Sequence, residues 1–149
     1  MNQSALAATD TDEVRAPRRG AILLVEDRED VRLGLAQLLE YHGYLVTDAG
    51  DGETALGRLH AAPDEIALIL LDLMLPGALG GRDIRAQQLA DPQLADIPAV
   101  VITATEPPPD ERAGLHADGW LDKPFRFDEL LSIVERYVVP ETTSDILDS

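Results

Sequence analysis

The sequence predicts an α/β domain in which five short parallel strands alternate with five helices. Three observations predict it. Several apolar runs, such as Ala21 to Val25 and Ile66 to Leu71, are continuous rather than alternating, as expected for strands covered on both faces. The segments between them place apolar residues at helical spacing. The runs also stop abruptly at charged or hydroxyl residues, followed by loop or helix-start signals.

Each element has its own signal. The run 21–25 ends in Glu26-Asp27, and Val31, Leu35, Leu38 and Leu39 then give a helix whose start carries Glu29-Asp30, favourable for the helix dipole. Gly43 stops it, and Tyr44 to Thr47 is a shorter second strand. Asp51-Gly52 opens a second helix with Ala55, Leu56 and Leu59 inward. The third strand, 66–71, stops at Asp72. Pro76, Gly77, Gly80 and Gly81 mark a loop before a weaker helix over 82–90, anchored by Ile84 and Leu89. A fourth strand, Ile97 to Ile102, ends at Thr103. Three prolines, 107–109, then confine the next helix to about 110–116. Gly119 to Leu121 is a fifth strand ending at Lys123-Pro124, and a last helix carries Leu130, Leu131, Val134 and Val138 on one face. Tyr41, Tyr44, Tyr137 and Phe127 are expected to pack, and Phe125 to plug the sheet edge.

Residues 1–20 read as a polar tail, 21–139 as the domain, and 140–149 as an acidic tail. The chain has 149 residues, room for one domain at about 100–200 residues each. Cysteine is absent, which excludes disulfides, thiolate metal sites and cysteine nucleophiles. The net charge of −16 disfavours phosphate backbones and anionic lipid, and 4% aromatics leave little for base stacking. Direct binding of nucleic acid or membrane is therefore not expected. No apolar run nears the roughly 20 residues of a bilayer span, and the polar N-terminus lacks a signal-peptide core. The expected location is cytoplasmic.

Right-handed crossovers put all five strand ends on one edge, where open sheets bind ligands. That edge would collect Glu26, Asp27, Asp72, Thr103 and Lys123. Clustered carboxylates repel and call for a cation. Hard oxygen donors of this kind favour Mg²⁺, which is commonly held together with phosphate. The ammonium and hydroxyl suit the other oxygens of a phosphoryl group. Lys123 is the only lysine in the chain, which hints at a need for a compact point charge.

These residues resemble the receiver domain of two-component response regulators, the CheY-like family. The matching pieces are Leu-Val-Glu-Asp at 24–27, Leu-Leu-Asp-Leu-Met-Leu-Pro-Gly at 70–77, Val-Ile-Thr-Ala at 101–104 and Ala-Asp-Gly-Trp-Leu-Asp-Lys-Pro-Phe at 117–125. The resemblance covers roughly 21–138. It implies a flavodoxin-like sheet of order 2-1-3-4-5, with Asp72 as phosphoacceptor. Mg²⁺ would be held by Glu26, Asp27, Asp72 and the carbonyl of Met74. Thr103 and Lys123 would contact the phosphoryl oxygens, Trp120 would be the aromatic switch, and a cis peptide would join Lys123 to Pro124. The implied partners are a histidine kinase or histidine phosphotransfer protein and a downstream protein target, with the domain a monomer or homodimer. It would be a stand-alone phosphoacceptor, not a turnover enzyme, signalling through the face around the fourth helix, fifth strand and fifth helix.

The chain departs from the family at several points. Glu26 stands where Asp is more common. The loop from Asp72 is one residue longer if Gly81 is the family glycine, and His116 occupies a position where glycine is common. The prolines 107–109 should leave the fourth helix short or displaced. Two other readings compete. Phosphatases of the haloacid-dehalogenase type share Asp, Thr and Lys at strand ends, but their second Asp is replaced here by Met74. The other is a pseudo-receiver, an interaction module not controlled by phosphorylation.

Overall fold

The computed structural model describes residues 16–141. The five strands are β1 Ala21–Val25, β2 Leu45–Ala49, β3 Ile66–Asp72, β4 Ala99–Thr103 and β5 Gly119–Asp122. They form one parallel sheet of order β2-β1-β3-β4-β5. The helices are α1 Glu29–Tyr41, α2 Gly52–Ala61, α3 Gly81–Ala90, α4 Pro109–Leu115 and α5 Phe127–Tyr137. The flavodoxin-like fold expected from the sequence is the one observed.

Alternate strand residues face opposite layers. Ile22, Leu24, Leu68, Leu70, Val100 and Ile102 pack with Leu39 of α1 and with Leu130 and Val134 of α5. Leu23, Val25, Ile69 and Leu71 pack on the other side with Ala55, Leu56 and Leu59 of α2 and Ile84 of α3. Every residue of β3 and β4 is buried, which explains their continuous apolar runs. A smaller cluster under α4 joins Leu73, Val101 and Leu115 to Trp120.

Helix starts follow the local chemistry. The Asp51 carboxylate accepts from the Thr54 N–H at 2.8 Å and caps α2. Pro109 occupies the first turn of α4, where its missing N–H costs nothing. With seven residues, α4 is the shortest of the five, as the three prolines imply. At its other end His116 adopts left-handed backbone, φ 47°, which explains why glycine is common at such a position.

The structure corrects several expectations. Leu38 and Tyr41 point outward from α1, Tyr41 being 85% exposed. The core face of α1 is carried instead by Leu35, Ala36 and Leu39. In α3 the buried residues are Gly81, Ile84, Arg85 and Gln88, while Leu89 is only half-buried. Two polar side chains thus take core positions because each finds hydrogen-bond partners there. β2 runs on to Ala49, and β4 starts at Ala99 rather than Ile97. Backbone pairing also extends ahead of Ala21. The Arg18 N–H donates to Tyr137 O at 2.8 Å, and the Val139 N–H donates back to Arg18 O at 2.9 Å. The remaining expected tail residues, 1–15 and 142–149, lie outside the described residues.

Candidate functional site

The site lies at the C-terminal edge of the sheet. Leu71, buried in the sheet, delivers Asp72 to the end of β3, and β1 delivers Glu26 one residue past Val25. Both acids are almost fully buried, whereas Asp27 is exposed. Oxygens of Glu26, Asp27 and Asp72 lie within 4.8 Å of one another. Lys123 follows β5 through a cis peptide to Pro124, and its backbone N–H donates to Thr103 O at 2.9 Å. The Lys123 ammonium then reaches across to Asp72 Oδ2 at 2.8 Å and Glu26 Oε1 at 3.4 Å.

Backbone donors complete the acid pair. The Met74 N–H donates to Asp72 Oδ1 at 2.9 Å, and the Arg28 N–H to Glu26 Oε2 at 3.1 Å. Burial pushes the Glu26 carboxyl above its ordinary range; the Arg28 N–H opposes this, and the neighbouring Asp72 charge adds to it. Burial pulls the Lys123 ammonium down, but Asp72 and Glu26 together outweigh it and hold the group above its ordinary range. If all are ionised, three carboxylates against one ammonium leave two formal negative charges, the deficit a divalent cation balances.

Of the expected residues, Glu26, Asp27, Asp72 and Lys123 converge. The Met74 side chain is exposed, and its backbone N–H turns toward Asp72. Thr103 is buried at the end of β4, but its hydroxyl donates to Thr105 O at 2.6 Å and accepts from the Thr105 N–H at 3.2 Å. Trp120 is half-buried, with the Arg112 guanidinium 4.0 Å from its ring centre. Gly81 begins α3 directly against the end of β3. A Cβ there would stand 2.6 Å from Asp72 O and 2.7 Å from Leu73 Cα, which marks Gly81 as the glycine the loop requires.

Sequence reasoning missed Arg32. Its Nε bonds Asp48 Oδ2 at 2.8 Å and its Nη1 donates to Glu26 O at 3.0 Å, tying α1 to the ends of β1 and β2. No spacing rule flags it, since its partners lie on two strands.

The family model described as "Response regulator receiver domain" matches residues 22–135. The transcriptional regulatory protein YkoG of Bacillus subtilis is 39% identical over 116 residues, covering 76% of this chain and 49% of that one. The sensory transduction protein RegX3 of Mycolicibacterium smegmatis is 36% identical over 114 residues, covering 75% and 47%. The chain thus spans about half the length of these curated relatives. Among solved structures, the chemotaxis protein CheY4 of Vibrio cholerae gives a TM-score of 0.71 at 27% identity, covering 81% of this chain and all of that one. TrrA of Thermotoga maritima, solved in complex with Mg²⁺ and beryllofluoride, gives 0.67 at 28% identity over 78% and 96%. This chain belongs to the response regulator receiver domain family, the signal-accepting module of two-component systems. Among the described residues, no helix is long and apolar enough to cross a membrane.

Proposed function

We propose that this domain accepts a phosphoryl group on Asp72 from a phosphohistidine of a histidine kinase or phosphotransfer protein, in a Mg²⁺-dependent reaction in the cytoplasm. The observation that carries this reading is the contact of the Lys123 ammonium with Asp72 Oδ2 inside the three-carboxylate cluster.

The donor set fits a hard divalent cation, with Glu26, Asp27 and Asp72 as oxygen ligands; the Met74 carbonyl, which the family resemblance adds to the set, would be a fourth. When bound, Mg²⁺ supplies positive charge against the phosphoryl oxygens. The chain's own groups do the rest. A carboxylate oxygen of Asp72 forms the new P–O bond as the P–N bond of phosphohistidine breaks. The electron pair leaves with the imidazole nitrogen. Lys123 offsets charge on the transferring group and Thr103 stands at the next strand end to bond another oxygen. Engaging that oxygen requires the Thr103 hydroxyl to give up the hydrogen bond it donates to Thr105 O. The released space is next to the α4 cluster, where Trp120 turns inward. The signal then leaves by protein contact through the face of α4, β5 and α5 as a population shift. On this reading the protein is a phosphoacceptor that hydrolyses its own acyl phosphate, not a turnover enzyme.

Incubation with acetyl phosphate and Mg²⁺, read by intact mass, tests it. The expected result is a gain of one phosphoryl group, abolished by EDTA and by Asp72→Asn. No gain in the native protein leaves only an interaction module.

A further inference from the structure

Two polar residues sit in the hydrophobic layer where α3 meets the sheet. Arg85 is 3% and Gln88 1% exposed. The Arg85 fork spends its donors on the end of α4. Its Nε donates to Leu115 O at 2.8 Å and its Nη2 to His116 O at 2.5 Å. Its Nη1 donates to Gln88 Oε1 at 2.6 Å, and the Gln88 amide donates to Leu94 O and Ile97 O at 2.8 and 2.9 Å. Asp118 Oδ2 lies 3.7 Å from Nη2 and also accepts from the Ala99 N–H at 2.8 Å. One guanidinium therefore binds the last carbonyl of α4 and that of its capping residue His116, which the helix cannot satisfy. Its charge also suits that helix end.

A buried guanidinium is a poor way to gain stability, since desolvation offsets much of what its bonds return. What it does provide is a single geometry. A seven-residue helix has little stability of its own, so outside contacts decide where α4 sits. Arg85 holds its C-terminal end, and an Arg82–Glu111 ion pair adds a second link from α3. The other end of the same lever touches the acceptor: α3 starts at Gly81, whose Cα has no room for a side chain against Asp72 O. Leu115, whose carbonyl Arg85 holds, packs its side chain in one cluster with Leu73 and Trp120.

We propose that Arg85 is a positioning residue that fastens the C-terminal end of α4 to α3, so that a change at Asp72 is carried through α3 to the Trp120 face. The relay rests on Asp72 being the acceptor; the fastening does not.

Two measurements on the full chain separate these. The first is hydrogen exchange at residues 112–118 in the unloaded protein, native against Arg85→Met and Arg85→Lys. Exchange is expected to rise at least tenfold in Arg85→Met and less in Arg85→Lys, with β1 and β3 protected as in the native protein. The second is the emission of Trp120, the only tryptophan, on adding Mg²⁺ and beryllofluoride as the phosphoryl stand-in. The native change is expected to fall by at least half in Arg85→Met. Unaltered exchange overturns the fastening, and so does loss of β1 and β3 protection in both variants, which would make Arg85 a residue of general core stability. Raised exchange with a full Trp120 response overturns the relay alone. If the native protein neither responds to beryllofluoride nor gains a phosphoryl group, the proposed function fails, the relay fails with it, and exchange still decides the fastening.

Discussion

Lys123 Nζ lies 2.8 Å from Asp72 Oδ2, although 51 residues separate them along the chain. The same ammonium is 3.4 Å from Glu26 Oε1, so one cation lies between the two buried acids at the sheet edge. Lys123 thus fills part of the electrostatic role that a metal would share.

Removing that cation should therefore have opposite effects on two measurements. Lys123→Met leaves the carboxylates uncompensated and is expected to tighten Mg²⁺ by on the order of 1 kcal/mol, about fivefold. It should slow phosphoryl acceptance from acetyl phosphate at least tenfold, because the transferring oxygens lose their point charge. Isothermal titration and mass-resolved kinetics read the two separately; weaker Mg²⁺ binding would contradict the competition.

Glu26 gives a pH-dependent test. Its carboxyl titrates above the ordinary value of 4.5 because it is buried beside Asp72. A raised folded-state value means the protonated form favours folding. That contribution is complete below 4.5 and is lost as pH rises through the folded value. In metal-free buffer, Glu26→Gln should match the native protein at acidic pH and melt about 2–4 °C higher near neutrality, roughly 1 kcal/mol. Saturating Mg²⁺ should erase or invert the difference. A neutral-pH melting point below the native one in EDTA would refute the assignment.

Gly81→Ala places a methyl 2.6 Å from a backbone oxygen and 2.7 Å from Leu73 Cα, neither of which can rotate away. Overpacking of this kind costs about 1–3 kcal/mol. On the proposed function the displaced backbone belongs to the phosphoacceptor, so phosphoryl gain should slow as well. Gly80→Ala meets only the flexible Asp83 carboxylate at 3.8 Å and serves as the control in urea unfolding.

His116→Gly should stabilise the protein. The residue holds φ 47°, a conformation costing a side-chain-bearing residue about 1–2 kcal/mol. Glycine's greater unfolded-state freedom takes back about 0.5–1 kcal/mol, leaving a gain of about 0–1.5 kcal/mol in unfolding free energy, read as a higher denaturant midpoint. The Arg85 contact is to the backbone carbonyl and survives the change, so a marked loss of stability would point to an unrecognised role for the imidazole.

The sheet and most of the site were legible because period and position carried them. Continuous apolar runs identified β1, β3 and β4, and the abrupt stops at Glu26, Asp72 and Thr103 identified the edge on which chemistry gathers. The four-residue β5 was legible through its ending at Lys123-Pro124. What escaped were side chains whose surroundings belong to distant elements. Leu38 fits the helical period of α1 but falls outside the layer that α5 covers. Arg85 and Gln88 carried no sequence signal, since a polar residue's burial depends on its acceptors, and here those include carbonyls up to 31 residues away. The bonds of the Thr103 hydroxyl to Thr105 were hidden for a different reason: they are local, but side-chain identity does not fix the rotamer.

The pairing of Arg18 with Val138 and Val139 lies beneath β1, at the opposite pole from Asp72. The Glu141 N–H, which donates to Gly43 O at 2.7 Å, leaves from the same side. A fluorophore or surface tether joined to the polypeptide at that pole would leave the carboxylate mouth facing open solution. Immobilised copies should then meet a donor protein as freely as dissolved ones.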